Sequence, residues 1–376
     1  MNIITDQPVK YSKTIFQALL IFIFLSAARI PGEPGQPVKI GLLIPDSKSV
    51  AAKQGAELAV LKANENGGFQ GRPFQLVVRS MEGPWGTGSK QAVDLIFEEK
   101  VWALLGSHDG RNAHLVEQAA TKAIVPFVSA WPGDPSLSQA FVPWFFNCVP
   151  NDIQQAEALT EEIYNKRKIC KVVTVHDEDY DSNLAFSNFL KKAGMTKKAD
   201  PLQFKYETYI GKINDLVDQI ISTNAECIAL FCNPSVSLNI YRQIRERKVK
   251  QPVFSTHYLL NENELSDQEL KNYDNALSVP SGKWSGSKYR DFRQEYEQTY
   301  GEPPGMVASY AYDGMNLLIE AIRHAGTSER ELIQKSLEKI FYEGVTGPIS
   351  FDKMGNRKDS FFLTTVKNGV PVMADK

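Results

Sequence analysis

The run Val38-Lys39-Ile40-Gly41-Leu42-Leu43-Ile44 is stopped by Pro45, and after a short polar link comes the segment from Ala51 to Asn66, closed by Gly67-Gly68. The first run is too continuously apolar for a strand with one face in water. It reads as a strand buried on both faces, as in a parallel sheet. In the second segment Ala52, Ala56, Ala59, Val60 and Ala63 share one face at helical spacing. The glycine pair then stops the helix, since glycine takes the backbone conformations found just past a helix end without steric cost. A buried strand followed by an amphipathic helix is one β-α unit.

That unit repeats along the chain from Val38 onward. Strands are expected over Phe74–Arg79, Val101–Gly106 and Ile124–Ser129, with helices over Ser89–Glu99 and Ala113–Lys122 between them. A second series follows: helix Ile153–Asn165, strand Lys171–Val175, helix Asn183–Ala193, strand Phe204–Tyr209, helix Ile213–Thr223, strand Cys227–Cys232, helix Val236–Arg247 and strand Pro252–Thr256. After Ala276–Val279 come three helical stretches, Lys288–Tyr300, Val307–His324 and Ser328–Ile340, and two strands, Gly347–Phe351 and Phe361–Val366. The fold class is therefore α/β, with two doubly wound parallel-sheet lobes. The late helices have no strands of their own and are expected to return to the first lobe. The chain then crosses between lobes more than once, making a hinge beside a cleft, with strand-end loops of both sheets facing it. The lobes are placed at 38–148 with 281–342, and at 149–280 with 343–376.

Composition narrows the class of function. The chain has 376 residues, 43% hydrophobic and 23% charged, with 42 Lys plus Arg against 44 Asp plus Glu. It is long enough for two cores, and a nearly neutral balance lacks the basic footprint that grips a phosphate backbone, so nucleic acid is not an expected partner. Lys10 and Lys13 precede the apolar run Ile15–Leu25, and Ser26-Ala27-Ala28 follows. This describes a cleavable secretory signal at 1–28. The competing reading, a membrane anchor, needs a longer apolar span than the one Arg29 ends. No cysteine precedes Cys148, so no lipid is attached at the cut. Export permits disulfides among Cys148, Cys170, Cys227 and Cys232, whose pairing stays open, while buried free thiols are an equal reading.

At this point several segments resemble a known family. Gly55-Ala56-Glu57-Leu58-Ala59 with Asn64 to Arg72, Ile124 to Ser129, and Phe145-Phe146-Asn147 with Pro150-Asn151-Asp152 and Gln155 carry part of the match. Tyr300 to Pro304, Ala308 to Gly314, Thr346 to Asp352 and Gly355-Asn356-Arg357 carry the rest. In order and spacing they resemble type I periplasmic solute-binding proteins of the leucine/isoleucine/valine-binding branch, over roughly residues 38 to 370. The resemblance implies a monomer whose lobes close around an amino acid or related small carboxylate and deliver it to an ABC transporter membrane permease. It implies no cofactor and no metal.

Candidate ligand contacts follow from strand-end position and from the resemblance. Ser107, His108 and Asp109 sit between a strand and a helix start, where backbone N–H groups and a hydroxyl suit a carboxylate. Asp109 as a helix cap and His108 as an exposed residue form the competing reading. Ser129, Ala130 and Trp131 end the fourth strand. Trp131 is larger than the family's usual residue there and suits stacking on a planar ligand, or else packing under Pro132-Gly133. Tyr180 stands where the family places an aromatic cover, beside the acids Asp177, Glu178, Asp179 and Asp181, which are otherwise a solvated run. Asn233 and His257 follow two further strand ends, and Trp85 is placed to fill a wall shortened by the brief Asp46–Val50 loop. His257 is a poor fixed partner for a ligand ammonium.

An enzyme is not expected. Ser107, His108 and Asp109 are adjacent and cannot converge as a triad, and no nucleophile elbow, phosphate loop or zinc-binding helix motif occurs. Two alternatives remain beside transport: a ligand-sensing module for a signalling partner, and a hydrolytic or metal site built from His176, Asp177 and His257 across the cleft.

Overall fold

The structure is a computed structural model that describes residues 35–84, 86–139, 142–196, 198–282, 284, 286–358 and 361–374. The expected signal at 1–28 and Trp85 lie outside the described residues. No helix among the described residues is long and apolar enough to cross a membrane.

The first strand, β1 (Val38–Ile44), lies at the interior of a five-stranded sheet. The order is β2-β1-β3-β4-β5, with β2 Phe74–Ser80, β3 Ala103–Gly106, β4 Phe127–Ser129 and β5 Phe145–Asn147. All pairings are parallel; Ile40 stands opposite both Leu76 and Ala103. Helix α1 (Val50–Glu65) covers it, buried along Ala52, Ala56, Ala59 and Ala63 as the spacing requires. Gly67 and Gly68 both take positive φ, and Gly68 N–H returns to Ala63 O to close the helix.

The second lobe is a seven-stranded sheet ordered β14-β13-β10-β9-β8-β6-β7. Here β6 is Val172–His176, β7 Leu202–Lys205, β8 Cys227–Phe231, β9 Val253–Ser255 and β10 Leu277–Ser278. These five are parallel, whereas β13 (Thr364–Lys367) and β14 (Val370–Met373) add an antiparallel edge. A separate ribbon pairs β11 (Tyr342–Gly344) with β12 (Gly347–Ile349). The long helix Met306–Ala325 packs on α1, so the late helices do return to the first lobe. Their approach is close: a Cβ on Gly55 would stand 2.2 Å from Ala308 O, so only glycine fits there.

Some expectations shift. The strand expected over Phe204–Tyr209 is β7, two residues earlier, and Tyr206–Tyr209 is a tight turn of helix. Helix Asp152–Thr160 runs into a π-helical turn at Glu161–Lys166. Strands β5, β11 and β14 were not anticipated; each is only three or four residues long.

The lobes are joined where three chain segments meet. Arg357, with no exposed surface, donates to Cys148 O (2.8 Å), Thr346 Oγ1 (2.9 Å), Thr346 O (3.0 Å) and Pro348 O (3.1 Å). Asp313 accepts from Val345 N, Thr346 N and Thr346 Oγ1. Gly282 lies against the same bend, where a Cβ would stand 1.8 Å from Thr346 O. All four cysteines are free thiols; Cys148, Cys227 and Cys232 are buried and Cys170 is exposed.

Candidate ligand site between the lobes

The two sheets aim the carboxyl ends of β1, β3 and β4 on one side, and of β6, β8 and β9 on the other, at a shared cavity of about 580 Å³. From the first lobe it is lined by Asp46, Ser49, Ser107, His108, Asp109 and Trp131. From the second come Asp179, Asp181, Asn233, Tyr258, Asn263 and Glu264, among others.

Ser107 sits just past β3, held by its N–H on Leu43 O, and is 1% exposed. Among the described residues its Oγ has no hydrogen-bond partner, nor has Asn263 Oδ1. Buried polar atoms are rarely left this way, so each has capacity for something in the cavity. Asp109 caps the helix Gly110–Lys122, accepting from Asn112 N (3.1 Å) and Asn112 Nδ2 (2.6 Å). The cap reading of Asp109 is thus realised, although the residue also lines the cavity. His108 is buried instead of exposed; its ring stacks on Phe127, and burial lowers its pKa and favours the neutral form.

Not every expected residue reaches the cavity. Ser129 and Ala130 are fully buried; Ser129 Oγ lacks a partner and Ala130 N–H bonds Gly106 O. His257 is also fully buried, with Nε2 2.9 Å from Trp131 O and Nδ1 3.0 Å from Gln155 Oε1. Burial pushes its pKa down to about 4. It supports the Trp131 backbone from beneath, and the neighbouring Tyr258 takes the cavity position. Asn233 lines the cavity while capping the helix Pro234–Glu246 through Val236 N. His176 stacks on Phe186 and Asp177 accepts from Asn233 N, so neither stands opposite His257 at the cavity.

Tyr180 serves the seam between the lobes. Its hydroxyl donates to Asp134 Oδ2 (2.9 Å), and the Arg111 guanidinium lies 4.9 Å over its ring. Burial alone would raise the Asp134 carboxyl, but bonds from His114, Ser136 and Tyr180 hold it below its ordinary value. Nearby, Gly110 N–H donates to both oxygens of Asp181 (3.0 and 3.2 Å), and Gly133 N–H to Tyr258 Oη (2.5 Å). The lobes are therefore drawn together around the cavity. Tyr258, Asn263 and Glu264 were not anticipated, because they follow β9 along a winding stretch without strand or helix periodicity.

Two sheets of this order, a multi-crossover hinge and a polar cavity at the strand ends define a two-lobed cleft binder. Residues 37–370 match the family described as periplasmic binding protein, and the chain belongs to that family. Its fold is similar to that of the branched-chain amino acid transporter substrate binding protein LivJ of Streptococcus pneumoniae, solved with isoleucine: TM-score 0.75, 22% identity, covering 89% of this chain and 97% of that one. It is equally similar to a solute binding protein from R. palustris solved with benzoate, with TM-score 0.75, 20% identity, and 90% and 95% covered. Among curated proteins, Glutamate receptor 3.1 of Oryza sativa subsp. japonica is 22% identical over 92% of this chain and 42% of the receptor. Glutamate receptor 2.9 of Arabidopsis thaliana is 22% identical over 64% and 26%. The chain thus spans less than half the length of these curated relatives.

Proposed function

We propose that this chain is the extracytoplasmic solute-binding component of an ABC-type importer, holding an amino acid or related small carboxylate between its lobes. It is exported by a signal cleaved after Ala28, works as a monomer, hands its closed form to a membrane permease and turns nothing over. The observation that carries this is the polar cavity between two closed lobes, with Ser107 Oγ at a strand end awaiting a partner. Ser107, His108, Asp109, Trp131 and Asn233 are its direct contacts, joined by Tyr258 and Glu264. Ser129, Ala130 and His257 shape the wall behind them, and Tyr180 acts through closure. The lobes are 38–148 with 281–342 and 149–280 with 343–376.

The test is a thermal-shift screen of the purified protein with amino acids, simple carboxylates and amides. A ligand selective for the folded state stabilises it by RT ln(1 + [L]/Kd), about 2.7 kcal/mol at a hundredfold excess over Kd. A shift with one solute class supports the reading, and no shift with any removes it. N-terminal sequencing of exported protein beginning at Arg29 checks the signal. The kinship with plant glutamate receptors favours one second reading, a sensory module signalling ligand closure to a partner. Uptake lost on deleting a neighbouring permease gene would decide for transport.

A further inference from the structure

The charges around the cavity are one-sided. Five carboxylate residues line it: Asp181 buried, Asp46 and Asp109 half-buried, Asp179 and Glu264 exposed. No lysine or arginine lines it, and none of the five forms an ion pair among the described residues. The chain as a whole is close to neutral, so this concentration is local.

Several of the donors that could hold an anion are already taken. Helix N-termini attract carboxylates through unpaired N–H groups. Here Asp109 occupies Asn112 N, Asp181 occupies Gly110 N, Asp179 occupies Ser182 N and Asn233 occupies Val236 N. Among the described residues three lining atoms have no partner: Ser107 Oγ, whose hydroxyl can accept or donate, His108 Nε2 and Asn263 Oδ1. The apolar lining is aromatic, with Trp131 and Tyr258 at 6.0 Å between ring centroids. Aromatic faces attract cations and offer nothing to anions.

We propose that the cavity selects an organic ammonium solute of net positive charge, held by the carboxylates, Ser107 Oγ and the Trp131–Tyr258 pair. This rests on the reading of the chain as a solute binder and departs from it in the solute class, since positive charge, not a carboxylate, is what the cavity selects. A solute bearing a carboxylate alone would bring a sixth acid group into a cleft that, among the described residues, has no lysine or arginine in its lining to meet it.

Titration calorimetry on the full-length protein separates the possibilities. The probes are isopentylamine, L-leucine and isocaproate, which share one hydrocarbon frame at net charges of plus one, zero and minus one, with L-lysine as a larger cation. The expected result is binding of isopentylamine and L-lysine about tenfold or more tighter than isocaproate, weakening as salt rises. Isocaproate binding as well as the amine, or L-leucine binding above both cations, overturns the cation assignment and leaves solute binding standing. Binding of none of the four overturns both. The double variant Asp46→Asn/Glu264→Gln, at unchanged melting temperature, is expected to weaken amine binding about tenfold. Unchanged amine affinity in that variant overturns the assignment to this cavity.

Discussion

The hinge and the cleft cavity are both polar, yet they are polar in opposite ways. At the hinge Arg357 and Asp313 are sealed from water and surrounded by partners: four acceptors around the guanidinium and three donors on the carboxylate. In the cavity five acids accept hydrogen bonds from the chain but, among the described residues, pair with no lysine or arginine, and Ser107 Oγ and Asn263 Oδ1 have no partner at all. A polar group that serves the fold is answered within the chain, because an unanswered one is costly. A polar group that serves a ligand is left open, and its answer arrives from outside.

The contrast is most easily broken at the hinge. Arg357→Met removes donors from several buried oxygens at once, and denaturant unfolding should show a loss on the order of 3–5 kcal/mol. A loss below about 1 kcal/mol would mean that the hinge network is not load-sharing in the way its geometry indicates. Next is the helix contact: Gly55→Ala drives a Cβ against Ala308 O, and overpacking of this kind costs about 1–3 kcal/mol in the same assay.

A third test uses pH. Burial pushes the Glu262 carboxyl up to about 7, against the pull of bonds from Ala308 N and Val307 N. A carboxyl with a raised folded pKa binds its proton more tightly folded than unfolded. Its contribution is therefore complete below the ordinary glutamate value and lost as pH rises through about 7, a fall on the order of 3 kcal/mol. Glu262→Gln should flatten that slope, and an unchanged slope would assign it to other groups.

The smallest stability effects belong to the cavity. Ser107→Ala should leave the unliganded melting temperature within about 1 °C while weakening ligand binding, because no bond within the chain is lost. Tyr180→Phe deletes one seam bond to Asp134, and calorimetry should show affinity reduced by about tenfold at most.

Much of this arrangement was legible in the residues. The buried run at Val38–Ile44 and the alanine face of α1 decided the fold, since both signals are local. Ser107, Asp109, Trp131 and Asn233 were reachable because strand ends point at clefts. His257 and Tyr258 show where local reading stops: adjacent residues after β9 point apart, one behind Trp131 and one into the cavity. Glu264 arrives there by a path that no periodicity announces. The Phe145–Asn147 strand was not anticipated because three residues carry no recognisable period.

The seam bonds from Gly110 to Asp181, Tyr180 to Asp134 and Gly133 to Tyr258 also govern time. A solute enclosed behind them leaves only when they part, whereas it enters an already open cleft. Loosening the seam should therefore shorten residence far more than it slows capture, which sets how long the protein can carry its cargo before meeting a receiver.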